Sequence, residues 1–126
     1  MALTLRSTLV SLLLAGLIWH PALAADAAKG KRIFNKCKSC HVANKKKNRV
    51  GPHLVGLFGR KAGTVEKYKY SKAMKAAGFV WDESSLDEYL TNPKKYVKGT
   101  KMAFAGLKKK ADRENVIAYL KKETAK

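Results

Sequence analysis

The chain has 126 residues, a length that fits one domain comfortably and two only with difficulty. It carries 27 lysines and arginines against 9 acidic residues, for a formal net charge of +18. Most of the cations are lysine, and few arginines are available for the forked contacts that identify a guanine edge, which argues against a nucleic-acid partner. The excess of positive charge favours an acidic protein partner instead, although lysines that only solvate the surface are the alternative.

The first 24 residues have the features of a cleaved secretory signal. Arg6 is their only charged side chain, residues 9–19 form an almost unbroken apolar run, and Ala22-Leu23-Ala24 offers the small residues that a signal peptidase cuts after. A retained membrane anchor is the alternative, but a spanning helix needs about 20 apolar residues, more than this run contains. We therefore expect residues 1–24 to be removed on export and residues 25–126 to form the mature domain.

The mature domain is predicted to be all-α, because helix signals recur along it and strand signals are few. The predicted helices begin at Asp26, Ser71, the pair Ser84-Ser85 and Asp112, and the first three end at Cys37, Gly78 and Asn92-Pro93. The side-chain oxygens of serine and aspartate accept hydrogen bonds from the free backbone N–H groups at the start of a helix, while glycine and proline are typical of helix ends. Helices this short enclose a small core, so we expect a flat apolar cofactor to complete it and the chain without cofactor to be poorly folded.

One pentapeptide carries the chemistry: Cys37-Lys38-Ser39-Cys40-His41. Two cysteines separated by two residues and followed at once by histidine are the signature of covalent c-type haem attachment. The spacing places two thioether bonds across one helical turn and brings the imidazole of His41 beneath the iron. A disulfide or a thioredoxin-like redox pair is the alternative, but the redox pair needs a βαβ context and has no use for the histidine. We therefore predict one covalent haem c with His41 as an iron ligand.

The second axial position of the iron decides between an electron carrier and an enzyme. His53 is a weak candidate because it is too near His41 in sequence to reach the opposite haem face easily. Met74 stands at helical spacing, where methionine usually fills a core, whereas Met102 stands in a loop that can fold over the haem. Water or a substrate is the remaining alternative. A thioether ligand stabilises ferrous iron and raises the reduction potential, which suits electron delivery to a strong oxidant.

From Gly30 to its end, the chain resembles class I cytochrome c, in particular the mitochondrial type and the bacterial cytochrome c2 group. The resemblance is carried, in order, by Cys37-Lys38-Ser39-Cys40-His41, Val50-Gly51-Pro52, Gly56-Leu57-Phe58-Gly59-Arg60-Lys61, Tyr89-Leu90-Thr91-Asn92-Pro93-Lys94-Lys95-Tyr96 and Gly99-Thr100-Lys101-Met102. It implies a small cytochrome c fold, in which short helices and loops surround one covalent haem. It also implies a monomer that transfers single electrons and is not an enzyme.

Position by position, the resemblance implies that Met102 is the axial sulfur and that His41 donates a hydrogen bond to the Pro52 carbonyl oxygen. Tyr89 matches a residue that hydrogen-bonds near that sulfur, and Phe104 matches one that lies against the haem face. The positions that surround the haem propionates are Arg60, Tyr70, Trp81 and Thr100. The lysines that would ring the exposed haem edge and dock a partner are Lys36, Lys38, Lys94, Lys95, Lys101 and Lys108.

Three features depart from the family pattern. Met74 replaces an asparagine of a buried water network, Lys98 replaces the proline before the Met102 loop, and the spacing from Phe34 to Cys37 is one residue shorter than in mitochondrial proteins. The first change is expected to alter that network, and the second to loosen the loop and ease exchange of the methionine for a lysine ligand at high pH. The third, together with the signal, favours a periplasmic cytochrome c2.

The expected partners are acidic surfaces of redox proteins, contacted transiently at the membrane. The donor would be a cytochrome bc1-type complex or a periplasmic dehydrogenase, and the acceptor a terminal oxidase or a photosynthetic reaction centre. A haem enzyme or gas-binding cytochrome with an open sixth position is one rival, and it requires that Met102 does not bind. The other rival is an interaction module, in which the haem is structural and the basic face binds a membrane or an anionic polymer.

Overall fold

The computed structural model describes residues 23–125, and their regular secondary structure is helical. The helices are α1 (Ala27–Phe34), α2 (Lys72–Ala76), α3 (Glu83–Thr91), α4 (Pro93–Tyr96) and α5 (Lys110–Glu123). Strand pairing in residues 23–125 is limited to one bridge between Lys61 and Val80, so the predicted all-α class is confirmed. No helix in this range is long and apolar enough to cross a membrane. The apolar run of the predicted signal lies outside the described residues.

Helix α1 begins at the predicted cap but ends early. The Asp26 carboxylate accepts hydrogen bonds from the second and third backbone N–H groups of the helix, at 2.9 and 3.1 Å. The helix ends at Phe34, so the prediction that it continues to Cys37 is wrong. Turns follow it, in which Lys36 N donates to Ile33 O at 3.1 Å and Cys37 N donates to Phe34 O at 2.8 Å. In this type of bond the donor lies three residues after the acceptor, as in a 3₁₀-helix, and not four residues after it, as in an α-helix. The regular hydrogen bonding of α1 therefore ends before the cysteine segment.

The middle helices show which predicted caps were correct. Ser71 caps α2 as predicted, and Gly78 follows the end of α2 with a φ of +73°, a conformation that glycine adopts without strain. The predicted start of α3 was wrong, because Asp82 is its cap. The Asp82 carboxylate accepts from Ser85 N at 2.7 Å while Asp82 N donates to the Ser85 hydroxyl at 2.8 Å, a reciprocal capping box. Asn92 ends α3 and then caps α4, a short helix that was not predicted.

Helix α5 packs across α1. It begins at Lys110 and not at the predicted Asp112, which stands in its first turn. At the crossing, Gly30 of α1 lies so close to α5 that a Cβ there would overlap the Asn115 carbonyl oxygen. The Asn115 side chain in turn accepts a hydrogen bond from Asp26 N at 2.7 Å. The two helices therefore meet backbone to backbone, an approach that only glycine allows.

The buried core lies between these helices and two long loops, 50–63 and 98–106. Its larger buried side chains are Phe34, Leu57, Met74, Trp81, Leu86, Tyr89, Leu90, Leu107, Val116, Ile117 and Leu120. The loops have little regular structure and are held to the helices by individual hydrogen bonds. This arrangement leaves a space between loops and helices that the side chains do not fill.

Candidate haem site

A cavity of about 740 Å³ occupies the space between the loops and the helices. Cys37, Cys40 and His41 line one part of its wall, and Met102 lines another. The apolar part of the wall includes Phe34, Leu54, Leu57, Met74, Trp81, Leu86, Leu90, Phe104, Leu107, Val116 and Leu120. A volume in this range, with a largely apolar wall and a few polar groups, suits an organic cofactor.

A second, more open cavity of about 470 Å³ shares His41 with the first. Its wall includes Lys38, Arg49 and Tyr119 but neither cysteine and no methionine. A haem bonded to both cysteines therefore fits the larger cavity.

One helical turn holds the attachment residues together. His41 N and Cys40 N both donate to Cys37 O, at 2.9 and 3.1 Å. Both cysteines are free and partly buried. Burial raises the pKa of Cys37 to about 11, and the neighbouring Cys40 adds to the effect, so this thiol is neutral at pH 7. Two free thiols are what thioether attachment requires, and a disulfide would have consumed them.

The His41 ring is oriented by its neighbours. Its Nδ1 lies 2.7 Å from the Pro52 carbonyl oxygen, which can only accept, so Nδ1 carries the proton and Nε2 keeps its lone pair for a metal. Burial lowers the pKa of His41, and this effect outweighs the hydrogen bond to Pro52, which raises the pKa. The ring therefore favours the neutral form that binds iron. Gly51 makes room for it, since a Cβ at that position would overlap the ring.

Three hydrogen bonds form a closed ring around Met102. Its N–H donates to Thr100 Oγ1 at 3.4 Å, the Thr100 hydroxyl donates to Tyr89 Oη at 3.1 Å, and the Tyr89 hydroxyl donates to Met102 Sδ at 3.5 Å. The direction of the middle bond follows because the tyrosine proton is used on the sulfur. Burial raises the pKa of Tyr89, so its hydroxyl keeps that proton. The ring holds the thioether at the cavity wall.

Arg60 indicates that an anion belongs in the cavity. Its two terminal nitrogens donate to Val55 O at 2.9 Å and His53 O at 3.2 Å, but its buried Nε has no hydrogen-bond partner. Buried donors without a partner are rare because each one costs free energy. Burial also lowers the pKa of Arg60, and a nearby carboxylate would offset both effects. A haem propionate is such a group, so the residues present fit the cofactor.

Most of the other predicted site residues line the same cavity. They are Pro52, Tyr70, Trp81 and Phe104, together with the exposed Lys36 and Lys101. Lys38 lines the smaller cavity, while Lys94, Lys95 and Lys108 are exposed and belong to neither wall. His53 also lies outside both walls. The six predicted docking lysines are thus all exposed, but only some of them adjoin the haem cavity.

Two unpredicted hydrogen bonds join the segment 68–70 to the loops that border the cavity. Tyr68 Oη donates to Val50 O at 2.7 Å, and Lys101 Nζ donates to Lys69 O at 2.6 Å. Both acceptors are main-chain carbonyls distant in sequence, and such acceptors leave no sequence signal. Neither Tyr68 nor Lys69 was predicted as a site residue.

The sequence pattern of the family described as Cytochrome c matches residues 27–124. The chain belongs to the cytochrome c family. Its relatives include cytochrome c of Chlamydomonas reinhardtii, 56% identical over 106 residues that cover 82% of this chain and 95% of that protein. Cytochrome c of Euglena viridis is 53% identical over 97 residues, which cover 76% of this chain and 95% of that protein.

A solved structure is similar as well. Cytochrome cH from Methylobacterium extorquens matches with a TM-score of 0.73 and 45% sequence identity, covering 78% of this chain and 99% of that chain. Cytochromes c carry one covalent haem c with iron and act as electron carriers. The predicted resemblance, fold and cofactor are therefore confirmed.

Proposed function

We propose that this cytochrome c is a soluble, periplasmic, one-electron carrier whose haem iron is held by His41 and Met102. The observation that carries the proposal is the hydrogen-bonded ring that fixes the Met102 thioether at the wall of the cavity that His41 also lines. Met74 lines the same cavity but stands in α2, where it is buried among core side chains. Met102 is therefore the better candidate for the second axial position.

Each site residue has a defined task in this carrier. When bound, the haem supplies a one-electron couple between ferric and ferrous iron. His41 offers Nε2 in an orientation set by Pro52, and Met102 offers a sulfur whose electron density is reduced by the Tyr89 hydroxyl. Arg60 would neutralise an anionic edge of the cofactor, and the apolar wall would exclude water. With His41 and Met102 both holding the iron, no coordination position would be left for a substrate, which favours a carrier over a haem enzyme.

The charge along the chain supports docking to an acidic partner. Between Ala27 and Trp81, 15 residues are lysine or arginine and one, Glu66, is acidic. Lys36 belongs to this segment and adjoins the cavity. Such a field attracts acidic surfaces and speeds association at low salt. The donor is a cytochrome bc1-type complex or a dehydrogenase, and the acceptor a terminal oxidase or a photosynthetic reaction centre.

The periplasmic location is supported by the pattern of residues 1–24, a short apolar run after one basic side chain and before small residues. Export also brings the cysteines to the compartment where a carrier can meet membrane-bound redox complexes from the outer side. The carrier acts as a monomer and contacts those complexes transiently.

The near-infrared spectrum of the oxidised holoprotein tests the ligation. A methionine bound to ferric haem gives a weak charge-transfer band, which we expect in the parent and in Met74→Leu but not in Met102→Leu. The two variants remove the same thioether from two sites of one cavity, so Met74→Leu is a matched control. A parent without the band contradicts the proposal and favours the enzyme or gas-binding alternative. An interaction module with a structural haem would not be reduced and reoxidised by a redox partner.

A further inference from the structure

Leu107 directly follows the loop 98–106, which carries the proposed axial methionine, and it is held through both of its backbone groups. Its N–H donates to Leu90 O on α3 at 2.7 Å, and its carbonyl oxygen accepts from Arg113 Nη1 on α5 at 2.9 Å. Gly106 has a φ of +105° and lies so close to α3 that a Cβ there would overlap the α3 backbone. The C-terminal end of the loop is therefore attached to two helices at once.

The Arg113 guanidinium provides the α5 side of this attachment. Arg113 is buried, with 8% of its surface exposed, and it also donates to Lys108 O at 3.0 Å. Its Nε donates to Asp87 Oδ1 on α3 at 2.7 Å. A buried guanidinium is stable only beside a compensating carboxylate, and a charge-assisted hydrogen bond of this length is among the stronger kinds. Asp87 therefore holds Arg113 where it reaches the carbonyl oxygens of Leu107 and Lys108, just after the loop.

We propose that Asp87 is a positioning residue for the axial methionine. It fixes Arg113, Arg113 fixes the backbone of Leu107 and Lys108, and the fixed backbone keeps the loop closed with the Met102 thioether at the cavity wall. Asp87 is not part of that wall, and its carboxylate reaches the end of the loop through its hydrogen bond to Arg113. The inference rests on the proposed function, because it requires that Met102 binds the iron.

A second ion pair between the same two helices offers a matched control. Lys121 on α5 pairs with Glu83 on α3, and both side chains are more than half exposed, at 53% and 62%. Neither residue has a hydrogen bond to the loop 98–106 among the contacts of residues 23–125. Exposed pairs contribute little to stability. Glu83→Gln therefore removes an α3–α5 charge pair without touching the loop.

Imidazole titration of the ferric holoprotein measures the opening of the loop. Imidazole binds the iron only after Met102 has left, so its apparent dissociation constant falls as the open fraction rises. For Asp87→Asn, which exchanges a charged acceptor for a neutral one, we expect about fivefold to tenfold tighter imidazole binding. For Glu83→Gln and for the conservative Asp87→Glu, we expect parent affinity to within about twofold.

Hydrogen exchange gives a readout that does not depend on the iron. The Leu107 amide is expected to exchange faster in Asp87→Asn than in the parent, and at the parent rate in Glu83→Gln. A merely structural role predicts a lower melting temperature for Asp87→Asn with unchanged imidazole affinity and unchanged exchange at Leu107, because global unfolding is too rare to supply open sites.

The outcomes separate the inference from the function on which it rests. A parent that lacks the methionine charge-transfer band contradicts the proposed ligation itself. A parent that has the band, with Asp87→Asn and Glu83→Gln alike in imidazole affinity and in exchange at Leu107, overturns the positioning role of Asp87 and leaves the ligation intact. A tighter imidazole complex and faster exchange in Asp87→Asn alone support it.

Discussion

The crossing of α1 and α5 and the haem cavity are built by different means. At the crossing, two regular helices meet at Gly30, and the contact is made by backbone and by side chains of the helices themselves. Around the cavity, irregular loops are held by single hydrogen bonds from side chains such as Tyr68, Tyr89 and Lys101. At the crossing the two helices pack directly against each other, whereas the cavity wall surrounds a volume that only a cofactor fills. The first region should therefore respond to changes in packing and the second to changes in the cofactor.

The largest effect is expected from loss of the haem. In the double variant Cys37→Ala and Cys40→Ala, prepared free of haem, a cavity of about 740 Å³ is left without its occupant. Without the cofactor the largely apolar wall of this cavity is exposed to water, and the free energy lost by exposing it is comparable to the stability of a typical domain, about 5–15 kcal/mol. We expect the cooperative thermal transition, followed by circular dichroism, to disappear. Ser39→Ala, between the two cysteines, should keep it.

A cooperative transition in the haem-free double variant would show that the loops around the cavity stay folded without the cofactor. The contrast between the two regions would then be wrong.

Two glycine variants test the contrast with the same added methyl group. Gly30→Ala places a Cβ against the α5 backbone, and overpacking of this kind should lower the free energy of unfolding by about 3 kcal/mol while leaving the haem spectrum unchanged. Gly51→Ala places a Cβ against the His41 ring and should change the reduction potential and the visible spectrum. Denaturant titration and potentiometry measure the two effects. An unchanged potential in Gly51→Ala would mean that the ring is not fixed by its surroundings.

The smallest effect concerns the surface. Lys36→Glu should slow association with an acidic redox partner by roughly threefold to tenfold at low salt, without changing the unfolding midpoint. The control is Lys122→Glu, which makes the same change of charge in the last turn of α5. Stopped-flow kinetics at two ionic strengths measure both. Equal rates for the two variants would indicate that net charge, and not the cavity edge, governs docking.

Local signals in the sequence predicted well, and signals that depend on distant residues did not. The cysteine–histidine motif and the caps at Asp26 and Ser71 are properties of neighbouring residues, and the sequence alone identified them. The start of α3 was misplaced because Ser85 serves as the third residue of a capping box closed by Asp82. Nothing near Asp87 in sequence indicates that it pairs with a buried arginine 26 residues away.

The cavity shows the same division. Its attachment motif is readable from five consecutive residues, but the hydrogen-bonded ring around Met102 depends on Tyr89, which a separate helix brings to the loop. The resemblance to class I cytochromes c supplied that residue where periodicity could not. The Lys101 bond to Lys69 O had no counterpart in the prediction, because the acceptor is a backbone group.

Carbon monoxide binding to the reduced holoprotein tests the central claim most directly, since carbon monoxide coordinates ferrous haem wherever an axial position is open. With His41 and Met102 in both positions, the parent should show no carbon monoxide spectrum at neutral pH under a saturating atmosphere, and Met102→Ala should show a complete one. A parent that binds carbon monoxide as readily as the variant would contradict the closed site and with it the assignment of this cytochrome c as a simple electron carrier.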